Sequence, residues 1–334
     1  MSIPKRISLL SEVAEEWRNK EELNLIFSNA FAHNGFFEPQ FCRFSFENLC
    51  DNYLSEEKLL QWLKPYHIED DFSLKKRIGI ICAGNIPFAG FHDFLCCYVL
   101  GIPVQLKLSS KDTVLMRFLV EEIIKRDREY AAQFAITERL QHFDAVIASG
   151  STSANRYFEY YFGKYPNILR GNRTSVAVLE GTESEDELRA LADDIFLYFG
   201  LGCRNVGKIF LPKNFEVEKL LPAFSKYAWI HQNTAYMNNY DYNRAILLIN
   251  QTPHIANEFV MLQESEKLHS PVATVYYEFY ENRKDLINKL SALKSQIQCV
   301  VGNTNGFIPL GGAQKPSLND YADEIDTIAF ILSL

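Results

Sequence analysis

The chain has 334 residues, 47% hydrophobic and 23% charged, and its 34 basic and 42 acidic side chains leave a formal net charge of −8. This is the composition of a globular protein, and it excludes a disordered or fibrous chain as well as the basic footprint of a nucleic-acid binder. At roughly 100–200 residues per domain the length predicts two domains, each able to bury a core without disulfide staples.

Residues 1–75 are polar and aromatic, with helical patches over 7–19 and 55–63 and no strand pattern, so they read as a helical cap. The texture changes at Ile78-Gly79-Ile80-Ile81-Cys82-Ala83, an uncharged run that predicts a strand buried on both faces. After the turn Gly84-Asn85-Ile86-Pro87 come an apolar helix over 88–100, stopped by Gly101, and an extended segment over 103–108. A charged amphipathic helix over 113–134, a strand over 143–149, the turn Gly150-Ser151-Thr152 and a helix rich in Tyr and Phe follow. A strand over 175–179 precedes a well-marked helix, in which Ser184 and Glu187 make a capping box. There Leu188, Leu191, Ala192, Ile195 and Phe199 keep helical spacing, and Gly200 ends the run. Strands over 206–211, 244–249 and 272–279, with helices over 220–227 and 282–295, make a second α/β unit before a Gly/Asn/Pro-punctuated loop at 302–312. Strands alternating with helices imply parallel βαβ units with right-handed crossovers.

The seven cysteines (Cys42, Cys50, Cys82, Cys96, Cys97, Cys203, Cys299) are odd in number, and none sits in a CxxC pair, which points to a reduced, cytoplasmic compartment. No signal-peptide pattern opens the chain, and the longest uncharged apolar run, 94–106, is broken by Gly101 and Pro103 and falls short of the roughly 20 residues that span a bilayer. The seven histidines lack zinc-site spacing, so no metal is expected.

Four short segments have chemical potential. Gly200-Leu201-Gly202-Cys203-Arg204-Asn205 begins like a GxGxxG phosphate loop, but Asn205 replaces the last glycine and the run follows a helix, which argues against that use. What remains is Cys203 on a helix-to-strand loop, beside an arginine that favours thiolate; a structural cysteine is the competing use. Asn85 lies past a parallel strand, where open α/β sheets bind ligands, although an Asn in a turn also serves the backbone. Lys107, followed by Ser109 and Ser110, suits a ribose or phosphate, or a solvated edge. Gly150, Ser151 and Thr152 present N–H groups to an anion, or simply cap a helix. The aromatics Tyr157, Phe158, Tyr160, Tyr161, Phe196 and Tyr198 suit core packing better than an acyl tunnel.

As an ordered set, Asn85, Lys107, Gly150-Ser151-Thr152 and Cys203 resemble the aldehyde dehydrogenase superfamily, and the segments 80–87 and 200–212 look most like its acyl-CoA reductase branch. The resemblance covers about residues 75–310. It implies an α/β fold with a parallel-sheet dinucleotide-binding domain (76–200) and a second α/β catalytic domain (201–312); outside it, residues 1–75 are expected to form an N-terminal helical region packing on the first domain, and 313–334 a C-terminal segment. It also implies that Cys203 is the nucleophile, that Asn85 and a backbone N–H bind the oxyanion, that Lys107 and Ser109 bind the adenosine ribose or its 2′-phosphate, and that Gly150, Ser151 and Thr152 contact the pyrophosphate.

Two departures matter. Hydrolytic members carry a glutamate base in a Glu-Leu-Gly-Gly-Lys segment, whereas this chain reads Leu169-Arg170-Gly171-Asn172-Arg173. Their Glu-x-Phe-Gly-Pro segment, which holds the nicotinamide ribose, has become Glu266-Lys267-Leu268-His269-Ser270-Pro271, with Glu266 the remaining candidate. Without a base to deprotonate water, exchange of one thiol ester for another is favoured over hydrolysis. The expected activity is reduction of an acyl-CoA or other acyl thioester to the aldehyde by NADPH, with NADH the second choice and Lys111 or Lys208 assisting Lys107. The rivals are an aldehyde dehydrogenase forming the acid and a non-catalytic acyl- and dinucleotide-binding subunit. An acyl-supplying partner enzyme and a homo-oligomer are compatible with this reading.

Overall fold

The computed structural model describes residues 1–69 and 72–334 and divides into two compact units, Met1–Asn172 with Pro316–Leu334, and Arg173–Lys315. The boundary falls at Asn172, not at 200, because the strand expected at 175–179 pairs with the later strands rather than the earlier ones. The segment after 315 returns to the first unit.

The first unit is built on five parallel strands, β1 (Ile78–Ile81), β2 (Val104–Lys107), β3 (Phe134–Ile136), β4 (Ala145–Ser149) and β5 (Asn167–Arg170), in the order β3-β2-β1-β4-β5. The strand order reverses between β1 and β4, so this is a doubly wound sheet with its switch point there. Helices Ile3–Arg18, Glu22–His33, Pro39–Asn52 and Glu56–Leu63 share one apolar core with the sheet. Leu10, Phe27, Phe46 and Trp62 pack into the cluster that holds Ile78, Phe94 and Leu119. Helix Thr327–Leu332 adds Ile328 and Ile331 to the same cluster.

Two expected helices are shorter than the sequence predicts. Helix Phe91–Leu100 starts late because Phe88 sits at φ +60° and donates its N–H to Asp112 at 2.9 Å; it ends, as expected, on left-handed Gly101. The helix expected over 113–134 runs only Val114–Ile124. Asp127 then caps a separate turn, Arg128–Ala131, through the Tyr130 N–H, and β3 follows.

The second unit holds a six-stranded sheet in the order β11-β6-β7-β10-β9-β8: β6 (Thr174–Val178), β7 (Val206–Pro212), β8 (Ile255–Ala256), β9 (Met261–Glu264), β10 (Thr274–Tyr280) and β11 (Ile297–Gly302). Only the β8–β9 pair is antiparallel. Residues 244–249, expected as a strand, are the end of helix Thr234–Ile249, whose start is capped by Asn233. Their apolar, β-branched composition imitates a strand, but Leu248 and Ile249 face solvent. Of the helix expected over 220–227, only Leu220–Ala223 is α-helical.

Candidate active site

In the first unit the candidate residues gather at the C-terminal edge of the sheet. Ile81 pairs with both Lys107 and Ala148, so the turns after β1, β2 and β4 leave the sheet side by side. Gly84 is required here, since a Cβ would meet Ser109 Oγ at 2.3 Å. The loop after β2 is fixed from below: His33 Nε2 bonds the Ser110 carbonyl at 2.8 Å and Asn34 donates to the Lys111 carbonyl. Asp112 joins the two loops, accepting from Phe88 N–H and from Leu115 and Met116. Burial pushes its carboxyl up to about 6 against those three N–H bonds.

Asn85 is exposed at the turn beside this edge. Lys107 gives one of its three donors to the Glu138 carbonyl at 2.9 Å. Gly150 lies against Ala154 and Phe158, where a Cβ would come within 3.0 and 2.9 Å. Ser151 caps helix Thr152–Phe162 by accepting from Ala154 N–H at 3.2 Å. The side chain of Thr152 is outside the described residues. Tyr157, Tyr160 and Tyr161 on this helix are exposed, against the expectation of core packing, whereas Phe196 and Tyr198 are buried.

Arg170, in the segment without a carboxylate, is a buried cation already in use: it bonds Asp93 at 2.7 Å and Thr327 Oγ1 at 2.9 Å.

In the second unit, the Ser184–Glu187 capping box opens helix Glu185–Phe196. Tyr198 and Phe199 then take left-handed conformations, as does Gly200, and the chain turns into the Cys203 loop ahead of β7. Asn205 organises the loop. It is buried, accepts from Gly202 N–H at 2.8 Å, and sends its amide to the carbonyls of Asp194, Ile195 and Leu197 at the end of the helix. Ser175 on β6 donates to the Cys203 carbonyl at 3.0 Å and sits 3.0 Å from Cys299 Sγ on β11. Cys203 itself is half-buried.

Asn205 and Ser175 were passed over in the sequence, one as a lapsed glycine and one as a strand residue. For Ser175 the available signal is a hydroxyl at the head of the apolar run Val176-Ala177-Val178-Leu179; Asn205 carries none. The other cysteines outside β11 are buried, and burial pushes the Cys50 thiol up to about 12 and those of Cys42, Cys82, Cys96 and Cys97 upward as well, which keeps them protonated and inert.

Two expectations need correction or restriction. Lys208 cannot assist a phosphate: its side chain is fully buried and bonds Glu278 and the carbonyls of Ser265 and Glu266. Glu266 is exposed on the loop after β9, held there through its backbone. Among the described residues no metal-ligating cluster occurs, and no helix is long and apolar enough to cross a membrane.

The fold is that of solved aldehyde dehydrogenases. Aldehyde dehydrogenase 21 from Physcomitrella patens matches with a TM-score of 0.68 at 12% identity, over 91% of this chain and 74% of that one. An aldehyde dehydrogenase from Bacillus cereus, solved with NAD+, gives 0.66 at 12% identity, over 90% and 72%. A variant of the propionaldehyde dehydrogenase of a Clostridium phytofermentans microcompartment gives 0.62 at 10%, over 95% and 82%. No curated protein matches in sequence. The acyl-CoA reductase (LuxC) family matches residues 1–223, which take in both the β-strand turns of the first unit and the Cys203 loop. Two thirds of the sequence thus carry the family's pattern on an aldehyde dehydrogenase fold, and the chain belongs to the acyl-CoA reductase (LuxC) family of oxidoreductases.

Proposed function

We propose that the protein reduces an acyl-CoA, or another acyl thioester, to the aldehyde through an S-acyl intermediate on Cys203, with NADPH as reductant. The observation that carries this reading is the Cys203 loop, a half-buried thiol on a backbone fastened by Ser175 and Asn205, in a chain of the acyl-CoA reductase family. The dinucleotide reading is supported by the C-terminal sheet edge. Gly84 and Gly150 let its turns pack closely, on Ser109 and on Ala154 and Phe158, and the eleven-residue helix Thr152–Phe162 begins at this edge, where the positive end of its dipole favours an anion. Solved relatives on this fold are described with NAD+ bound.

In the proposed reaction the Cys203 thiolate attacks the acyl carbonyl carbon, and the C–S bond to coenzyme A breaks, with the coenzyme leaving as thiolate. Asn85 and a backbone N–H near Cys203 stabilise the developing oxyanion, each such donor being worth about 3–4 kcal/mol in comparable sites. NADPH held by the residues at the C-terminal sheet edge would supply a hydride to the acyl carbon. Cys203 is then expelled as thiolate from the thiohemiacetal, and the aldehyde is released. No step requires an activated water, which agrees with the lack of a carboxylate in Leu169-Arg170-Gly171-Asn172-Arg173. Lys107 pairs with the 2′-phosphate of NADPH in this reading, Ser109 with the ribose, Gly150, Ser151 and Thr152 with the pyrophosphate, and Glu266 with the nicotinamide ribose.

The test is NADPH oxidation with a panel of acyl-CoAs and trapped aldehyde, in wild type and Cys203→Ala. Aldehyde from wild type alone is the expected result. Turnover retained by Cys203→Ala removes it as nucleophile, and acid formed from free aldehyde without coenzyme A selects the dehydrogenase direction.

A further inference from the structure

The Cys203 loop is also held by a buried carboxylate that the proposed reaction does not use. Asp194 lies on the inner face of helix Glu185–Phe196 and is fully buried. Its carboxylate accepts from Gly311 N–H at 2.6 Å and from Ala313 N–H at 2.8 Å. Its main-chain carbonyl receives the Asn205 amide at 3.1 Å. Residues 311–313 thus form a strap against the helix. The contact is close: Gly311 sits at φ +84°, and a Cβ there would meet Ala190 Cβ at 3.0 Å. On its other side the strap is gripped by Arg204, the residue after Cys203, whose Nε donates to the Ala313 carbonyl at 2.6 Å. The Ala313 residue is therefore held at both of its backbone polar groups, N–H on Asp194 and C=O on Arg204.

We propose that Asp194 is a positioning residue for the reaction: through the strap at 311–313 it fixes Arg204, and with Arg204 the backbone that presents Cys203. This rests on the reading of Cys203 as nucleophile. The physical basis is the strength of N–H bonds to an ionised carboxylate. Protonation turns one acceptor oxygen into a donor and weakens the bond from one of the two strap N–H groups. The charged and titratable groups facing Asp194 are Asp193 on its own helix, Lys226 and Tyr227 on the segment Phe224–Gln232, which both engage Asp193, and Arg204 across the strap. Burial, with Asp193 adding to it, pushes the Asp194 carboxyl up to about 6. The strap is consequently tightest above about pH 6 and slackens below it.

The experiment measures three things between pH 5 and 8: the rate of Cys203 alkylation by iodoacetamide, read by mass spectrometry of its peptide; kcat and KM for an acyl-CoA; and the thermal midpoint. Wild type, Asp194→Asn, Arg204→Gln and Cys203→Ser are compared. Wild type is expected to show a break in alkylation rate near pH 6. Asp194→Asn is expected to lose that break and to lower kcat about tenfold or more with a smaller change in KM, as misplacement of a reacting group does. Arg204→Gln releases the strap from its other side and is expected to follow the same pattern. A wild-type break and kcat in Asp194→Asn overturn the proposal, as does a fall in thermal midpoint with kcat and the alkylation profile unchanged. Turnover retained by Cys203→Ser would instead overturn the nucleophile, and the alkylation profile reports on Asp194 independently of that result.

Discussion

Arg170 and Asp93 are buried side chains of opposite charge, 2.7 Å apart, and the guanidinium also reaches Thr327. Losing one partner strands the other's charge in the core, which costs about 3–5 kcal/mol, whereas replacing both by apolar groups is often neutral. Arg170→Met is therefore expected to lower the guanidinium midpoint sharply, and Arg170→Met with Asp93→Leu to recover most of the loss. A single substitution that unfolds with the wild-type midpoint would remove the pair from the stability of this unit. Lys107 is a different case, because its ammonium keeps two donors beyond the Glu138 carbonyl. In the proposed function Lys107→Ala raises the Kd of NADPH more than that of NADH by fluorescence titration; equal losses would show that Lys107 does not read the 2′-phosphate. These residue roles were unequally legible. Lys107, Ser109 and Gly150 stand out because they end or follow strands. Ser175 acts through the backbone of Cys203 and Asn205 through the carbonyls that close helix Glu185–Phe196, and no local pattern encodes such partners.

Helix Glu185–Phe196 was visible in the sequence down to its capping box, because the Ser184–Glu187 pair and the apolar spacing of Leu188, Leu191 and Ile195 agree. Ser184→Ala is expected to cost about 1 kcal/mol. Differential scanning calorimetry should show a lowered transition, and an unchanged one would mean that Glu187, which also bonds Asn303, anchors the helix without Ser184. The helix Thr234–Ile249 was not legible, because its last turns are Ala245-Ile246-Leu247-Leu248-Ile249 with solvent on several sides. Composition there favours a strand, and the cap sixteen residues or so upstream decides otherwise. Short parallel strands such as β3, β5 and β11 were also missed, since three to six residues carry too little periodicity to separate them from neighbouring loops.

For the whole molecule, buried groups of opposite sign make stability depend on pH. His92, enclosed by Tyr53, Trp62 and Tyr321, is held neutral, and burial lowers it to about 4. Between about pH 4 and 6.5 the unfolded chain binds this proton and the folded chain does not, so His92 costs stability as the pH falls, on the order of 3 kcal/mol by the acid end. Asp112 and Asp194, both raised to about 6, act in the reverse sense: the folded state keeps their protons, and stability declines as the pH rises from about 4 to 6. His92→Phe is expected to gain thermal midpoint relative to wild type as the pH is lowered from 7 to 4.5. Parallel curves would show that the imidazole does not titrate on unfolding.

The chain order of the two units has a consequence for synthesis. The first unit stays unfinished until residues 316–334 have been added, because Ile328 and Ile331 belong to its core and Thr327 to the Arg170 pair. At roughly 5–20 residues per second, the 143 residues of the unit 173–315 take on the order of ten seconds to emerge. During that interval the nascent first unit has an open apolar seam where helix Thr327–Leu332 will seat, a surface open to chaperones and proteases.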